Sequence, residues 1–298
     1  MASITSENLA IAITKYVAAR ALPALEANLF MARLVNRDFE STLAQAGDVV
    51  NIPVTPTMVA NNIAETGSVS AQTLALGNIP VTLTSHIEAT FTIPDVTKAL
   101  TVVGLAETFM QPAMMALGEQ VENDIIGTYP LFTYNAQVGA SATAPTEPVL
   151  ELCETNFFKA RVPVSSPKYV ACSADFYSSL RQIPRFTEVQ TIGSGSSIVN
   201  GEFIKVKNLN FLRTQLISAS GGTTTNLAFT PDAIALVVRK LDLPMSGMGT
   251  VGAYAEYNNL AMRVLMSYNP STLSQQFTVD LLYGVAALRN QCGMQILS

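Results

Sequence analysis

The clearest pattern in the chain lies in NIPVTLTSHIEATFTIPD, Asn78 to Asp95, where apolar or small residues alternate with polar ones almost without a break. Ile79, Val81, Leu83, Ser85, Ile87, Ala89, Phe91 and Ile93 fall on one face, and Thr82, Thr84, His86, Glu88, Thr90 and Thr92 on the other. A period of two belongs to a strand with one buried and one wet face. At about 3.3 Å per residue the run is roughly 50 Å long, more than a compact domain of this size needs. An earlier run, GDVVNIPV, sets Val50, Ile52 and Val54 on one face behind Gly47 and Asp48. Pro53, Pro56 and Pro80 cannot donate to a ladder and so fit edge strands. Together the two runs predict a long hairpin that projects from the body, with its tip near Val59 to Gln72.

The period then changes. Val96 to Ile126 reads as a helix of on the order of 45 Å, with Asp95 or Thr97 as N-cap. Its stripe is Met110, Met114, Leu117, Val121 and Ile125, with Glu107, Gln111, Glu119 and Glu122 off it. Pro112 predicts a kink near Met110, and Gly104 weakens the start. Before the hairpin, residues 7–34 read as helix interrupted at Pro23, resuming in LEANLFMARLV. After a loose AQVGASATAPTEP come helix in VLELCETNFFKARV, strand in KYVACS and helix in ADFYSSLRQI. A Gly-rich loop, QTIGSGSSIVNGEF, feeds strands, and LAFTPDAIALVVRKL reads as helix behind its Thr-Pro-Asp start. The end reads as strand, turn, strand, with a final strand around YGV and LRN. The class is α+β, without internal repeats.

Composition narrows the setting. Only 13% of residues are charged and mean hydropathy is +0.31, apolar for a soluble monomer. No uninterrupted apolar run reaches the ~18 residues of a membrane span. LAIAITKYVAARALPALEANLF carries Lys15, Arg20, Pro23 and Glu26, and MASITSENL lacks the basic start of a signal peptide. Burial against partners is therefore expected. Charge is uneven: residues 1–37 sum to +2, residues 38–154 hold thirteen acids against Lys98, and residues 155–298 sum to +5. Such halves either attract other copies of the chain or neutralise each other within one subunit.

Catalytic chemistry has little to stand on. The one histidine, His86, sits on the alternating strand and reads as a strand residue. Cys153, Cys172 and Cys292 form no CxxC and read as small buried hydrophobes. GSGSS at 193–197 lacks a phosphate-loop lysine, and Ser165 with Lys168 matches SxxK by spacing alone. Glu119, Glu122 and Asp124 share one helix with no histidine near, and read as a solvated or inter-subunit acidic face. The sequence pI of about 5.0 and the lack of a basic, aromatic-interleaved stripe argue against nucleic-acid recognition. No cofactor, metal or catalytic residue is expected.

The succession is specific: NLFMARLVNRDFE, GDVVNIPV, FTIPD into a long helix ending EQVENDIIGTY, then KYVACSADFYSSL, IVNGEFIKVKNLNFL, NLAFTPDAIALVVRKL and LLYGVAALRN. Across essentially its whole length the chain resembles the major capsid (coat) proteins of tailed bacteriophages, most of all the coat-protein branch of short-tailed phages. The resemblance implies an N-terminal arm (1–40), an extended hairpin loop (41–94), a peripheral domain with the spine helix (95–145), an axial domain (146–240), a peripheral return (241–285) and an axial C-terminal strand (286–298). It implies a protein that self-assembles through pentamers and hexamers into an icosahedral head around double-stranded DNA, in the host cytoplasm and then in the virion. Its implied partners are further copies of itself, a scaffolding protein, a portal, a decoration protein as an optional addition, and DNA bound non-specifically; no membrane is involved. Two features depart from the family. Some members cross-link through a lysine of the extended loop, and residues 41–94 hold none. Val199 to Phe229 leaves room for only a modest loop where some short-tailed relatives carry an inserted domain. An encapsulin-like nanocompartment of the same fold is the alternative, with an enzyme a distant third.

A projecting hairpin has no body to cover its apolar face. Val50, Ile52, Ile79, Val81 and Leu83 are therefore expected to lie on an adjacent subunit. Asp48, Glu65 and Glu88 have no base within the hairpin, and Arg33 and Arg37 of the arm are the nearest in sequence. Apolar contact would give strength and ion pairs registry.

Overall fold

The computed structural model describes residues 30–39, 49–54, 58–63, 69, 71–72, 77–95, 105–183, 205–206, 208–217, 222–245, 250–257 and 260–298. Two sheets carry the architecture. The first is antiparallel, in the order β10 (Thr250–Tyr257), β11 (Leu260–Asn269), β12 (Ser274–Ala287), β3 (Ser85–Pro94). The C-terminal half of β12 also pairs with β9 (Ile234–Arg239). The second is mixed, in the order β4 (Val138–Gly139), β13 (Gly293–Leu297), β8 (Thr225–Phe229), β5 (Lys168–Cys172), β7 (Leu209–Arg213), β6 (Lys205–Val206). A separate hairpin pairs β1 (Val49–Val54) with β2 (Gly77–Thr82).

Among the described residues four α-helices pack on this frame: α1 (Phe30–Leu34), α2 (Leu105–Ile126), α3 (Glu147–Lys159) and α4 (Ala174–Arg181). The predicted stripe of α2 is realised where side chains are described, since Leu117, Val121 and Ile125 are buried. Pro112 lies inside the continuous helix α2, exposed to solvent. Cys153, between Leu150 and Phe157, turns the buried stripe of α3 inward. Ser173 caps α4 by accepting from the Phe176 amide at 3.2 Å. One continuous core draws on α2, α3, α4 and both sheets.

The structure corrects several expectations. The alternating run from Asn78 is not one strand of a projecting hairpin. It breaks at Leu83–Thr84, where β2 pairs with β1 and β3 changes partner to β12. The alternation survives the break, because both pieces keep one face against apolar residues. β3 turns Ile93 into the core and packs Ile87, Ala89 and Phe91 against it, with Phe91 stacked on Phe277 at 5.2 Å. The paired hairpin is thus 49–82, and residues 85–94 belong to the main sheet.

The second correction concerns the hairpin's apolar face. Val50, Ile52, Val81 and Leu83 are buried within their own subunit, in a small second core with Ala235 and Val237. Strand β9 makes this possible because it is buried on both faces. Ile234, Leu236 and Val238 enter the main core, while Ala235 and Val237 carry the hairpin. Gly284, opposite Val237 in register, lets β2 approach closely, since a Cβ there would lie 2.5 Å from the Thr82 carbonyl oxygen. These four residues do not need a neighbour to cover them.

Elsewhere, LAFTPDAIALVVRKL is strand, 3-10 turn and strand rather than helix: Pro231 starts only the short turn Pro231–Ala233 between β8 and β9. The end of the chain contains one 14-residue strand, β12, and then β13. Val138 and Gly139, expected in a loose linker, pair in parallel with Ile296 and Leu297 and so join the six-stranded sheet. The helix expected over residues 7–29, the start of the long helix at 96–104 and the GSGSS loop lie outside the described residues.

Candidate assembly surfaces

An assembly surface is built from apolar side chains that the subunit's own core leaves uncovered. The hairpin provides one set. Its base is anchored as described, and at its far end Met58, Val59, Ile63 and Val69 are 58–80% exposed. There the Gln72 side-chain amide clamps Val59, accepting from its N–H at 3.2 Å and donating to its carbonyl oxygen. Sequence reasoning chose residues of the base and passed over these four, which fall in a tract with no periodic pattern.

The other expected contact residues are scattered. Ile79 is half-buried and lines a small cavity of about 80 Å³ between the hairpin and the body, with Asn36, Phe39, Ile52 and Arg289 among its walls. Glu88 is exposed on the outer face of β3, accepting a hydrogen bond from the Thr90 hydroxyl. Arg33 is exposed on α1 and Arg37 half-buried just after it. Asp48 and Glu65 lie outside the described residues.

The expected acidic face of α2 is not one surface. Glu119 is exposed, but Glu122 is buried and accepts from the Met31 amide of α1 at 3.4 Å. Asp124 accepts from the Tyr283 hydroxyl at 2.6 Å and from Gln120 at 2.9 Å. Burial and this bond to Asp124 raise the Tyr283 phenol above its ordinary range. Two of the three acids thus fasten α2 to its own subunit.

The polar centre of the five-stranded sheet is Asp280, buried on β12. Arg263 grips both of its oxygens, Nε donating at 3.0 Å to Oδ1 and a terminal nitrogen to Oδ2. The hydrogen bond to Asp280 raises the Arg263 guanidinium further above its usual range. His86 Nε2 stands 3.1 Å from the same Oδ2. Such a bidentate pair with an extra donor satisfies a buried carboxylate. His86 thus serves strand pairing, with no nucleophile near it among the described contacts.

The cysteines are buried thiols. Burial pushes Cys153 and Cys172 up to about 12, and burial also raises Cys292. Among the described residues no cluster of three His, Cys, Asp or Glu is placed to hold a metal. None of the described helices is long and apolar enough to cross a membrane.

A second exposed set lies around α3, where Leu152 and Phe158 face solvent and Val164 follows in the next turn. Further uncovered apolar residues are Leu131 and Tyr134 after α2 and Leu273 at the β11–β12 turn. Large apolar side chains are thus left uncovered at several separate places among the described residues.

No family model and no curated protein matches the sequence. Solved structures do match its fold. A structure from Mycobacterium phage Che8 is 16% identical with a TM-score of 0.67, the match covering 90% of each chain. The capsid of Ralstonia phage GP4 is 12% identical over 90% of each chain, TM-score 0.59. The holo-SrpI encapsulin complex from Synechococcus elongatus is 12% identical over 90% of this chain and 86% of that one, TM-score 0.54. The chain has the mixed helix-and-sheet fold of tailed-phage capsid proteins, shared with encapsulin shells.

Proposed function

We propose that this chain is the major capsid protein of a tailed phage, and that its copies self-assemble through pentamers and hexamers into an icosahedral head around double-stranded DNA. The observation that carries this reading is the hairpin, whose base is fixed in its own subunit while its tip holds out four uncovered apolar residues. Covering a large apolar side chain is worth about 1.5–3 kcal/mol, and an exposed ion pair about 0–1 kcal/mol. The tip's strength on a neighbour is therefore apolar, and charges such as Glu88, Arg33 and Arg37 set registry. DNA is enclosed rather than recognised, in keeping with a net charge of −5. A scaffolding protein, a portal and an optional decoration protein complete the partners, with assembly in the host cytoplasm and residence in the virion. Catalysis plays no part in this reading.

The likeness to an encapsulin supports a second reading, the same shell around a protein cargo. Imaging purified protein by negative stain tests the shell. Closed particles are expected from the intact chain and soluble folded monomers from a chain lacking residues 59–72. Stable shells from the deleted chain would refute the role of the tip. Particles purified from the native source and containing nucleic acid favour the head; particles holding one folded protein favour the nanocompartment.

A further inference from the structure

Strand β3 lies at the end of its sheet. In the order β10-β11-β12-β3, β12 is its one strand partner among the described residues. The register with β12 runs unbroken from Ser85 to Pro94, without a bulge. On the face turned to α2, Phe277, Val279 and Leu281 of β12 are buried, whereas Ile87, Ala89 and Phe91 beside them on β3 are only half-buried. On the opposite face His86, Glu88, Thr90 and Thr92 are exposed. The outer side of β3 is therefore less covered than the strand next to it.

Proteins usually blunt such an edge with lysine, proline, a bulge or a very short strand. β3 has ten residues, and its only proline is the last of them. It contains no lysine. Its outward N–H and C=O groups form a ladder that a further strand can join. That strand must be apolar at alternate positions toward α2 and must bring no acid opposite Glu88.

A second β3 meets both conditions, and its sequence selects one register. When two antiparallel copies are related by a two-fold axis, directly opposed residues share a face, so the axis passes beside a single residue. With the axis at Glu88, two carboxylates would face each other, which is unfavourable. With the axis at Thr90, Pro94 enters the ladder and cannot donate. Axes nearer either end shorten the ladder. With the axis at Ala89 the pairing runs from Ser85 to Ile93, sets Glu88 opposite Thr90 and His86 opposite Thr92, and brings Ile87 beside Phe91. An aromatic against a β-branched residue is a favourable cross-strand pair, and Phe91 is already fixed by its stack on Phe277. The two Glu88 groups then stand on a diagonal about 7–8 Å apart, close to the Debye length of about 8 Å at physiological salt. An axis perpendicular to the sheet also keeps α2 of both copies on the same side, as a shell with one inner surface requires.

We infer that β3 pairs with β3 of a second copy of this chain across a two-fold axis at Ala89. Four strands from each copy, β10, β11, β12 and β3, then form one sheet of eight. The inference rests on the self-assembling shell proposed above and names a contact separate from the hairpin tip.

Cysteine pairing tests it. A disulfide needs Cα atoms about 4.4–6.8 Å apart, and directly opposed residues of an antiparallel pair lie about 4.5–5.5 Å apart. Glu88→Cys, Ala89→Cys and Thr90→Cys, each in the full chain, are oxidised with diamide and run on non-reducing gels. Negative stain and thermal unfolding accompany the gels. The unaltered chain, whose cysteines are buried, is the control. Ala89→Cys is expected to form a covalent dimer by itself. Glu88→Cys and Thr90→Cys are expected to stay monomeric singly and to couple when mixed. If Ala89→Cys melts early, that mixture carries the test, because both positions are exposed. Thr90→Glu sets acids directly opposite each other and is expected to raise the concentration needed for assembly by roughly tenfold, whereas Thr90→Lys lowers it. Folded variants that build particles without coupling, or a Glu88→Cys or Thr90→Cys variant that couples alone, overturn this contact and leave the shell standing. Coupled dimers that never build particles uphold the contact and overturn the shell. A chain that stays monomeric throughout overturns both.

Discussion

Gly284→Ala tests whether the hairpin is seated on its own subunit. A Cβ at this position would come 2.5 Å from the Thr82 carbonyl oxygen, 3.1 Å from its carbon and 3.3 Å from a Leu83 methyl, and contacts under 3.0 Å are essentially unknown for real Cβ atoms. The obstructing atom is backbone, paired in the hairpin ladder opposite Val49, so the strand itself must move. Overpacking of this kind costs about 1–3 kcal/mol. Against it stands a gain of about 0.5–1 kcal/mol from replacing glycine in a strand. The difference spans about 0–2.5 kcal/mol, and because the obstructing atom is backbone the upper part applies, a loss of roughly 2–4 °C in melting temperature for a chain of this length. The four buried hairpin residues contribute on the order of 6–12 kcal/mol of gross burial, so the hairpin loosens without detaching. The assay is thermal unfolding of dilute, unassembled protein together with limited proteolysis of the hairpin. Val81→Ala, which empties part of the same small core, serves as the positive control. An unchanged melting temperature and unchanged cleavage for Gly284→Ala would refute the docked hairpin.

Three further outcomes are expected. Arg263→Ala leaves the buried Asp280 carboxylate without its bidentate partner and costs about 3–5 kcal/mol, whereas His86→Ala, at the exposed end of the same cluster, costs about 1 kcal/mol or less; equal losses in chemical denaturation would contradict the division of roles. Cys153 and Cys172, raised to about 12 by burial, hold almost no thiolate at pH 8, so an alkylating reagent should label them only as fast as the chain unfolds, and serine at any one of the three cysteines should still permit assembly. Pro112→Ala restores a backbone donor within α2 and is favourable by roughly 3 kcal/mol in intrinsic helix propensity; particle diameters or yields are expected to change while the monomer stays folded, and particles identical to the unaltered ones would show that Pro112 does not tune curvature.

Local pattern made much of the fold legible. The alternation in β3, the α2 stripe of Leu117, Val121 and Ile125, and the strand–helix unit of β5 and α4 all follow from periodicity and a cap. What escaped the sequence depends on distant partners. Ile234 to Val238 are buried without exception, so the strand shows no alternation, and Thr-Pro-Asp before it looks like a helix start. The surface under the hairpin consists of Ala235 and Val237, small residues that no local pattern marks as a landing site. Glu122 looks like any exposed helix acid until α1 is placed against it.

The place of β12 also sets a timetable for the chain's biogenesis. Pro94 pairs with Ser274, 180 residues later, and Ser85 with Tyr283, 198 residues later. At a synthesis rate of roughly 5–20 residues per second, β3 waits about 10–40 s for the strand that covers its edge. The six-stranded sheet waits as well, because β4 and β8 both pair with β13 at residues 293–297. Neither sheet can close before residues 274–297 have been made, so the folding of both is committed late relative to β3, β4 and β8. During that interval the unpaired edge of β3 is a template for wrong strands, which makes the nascent chain, rather than the finished subunit, the form most in need of a chaperone.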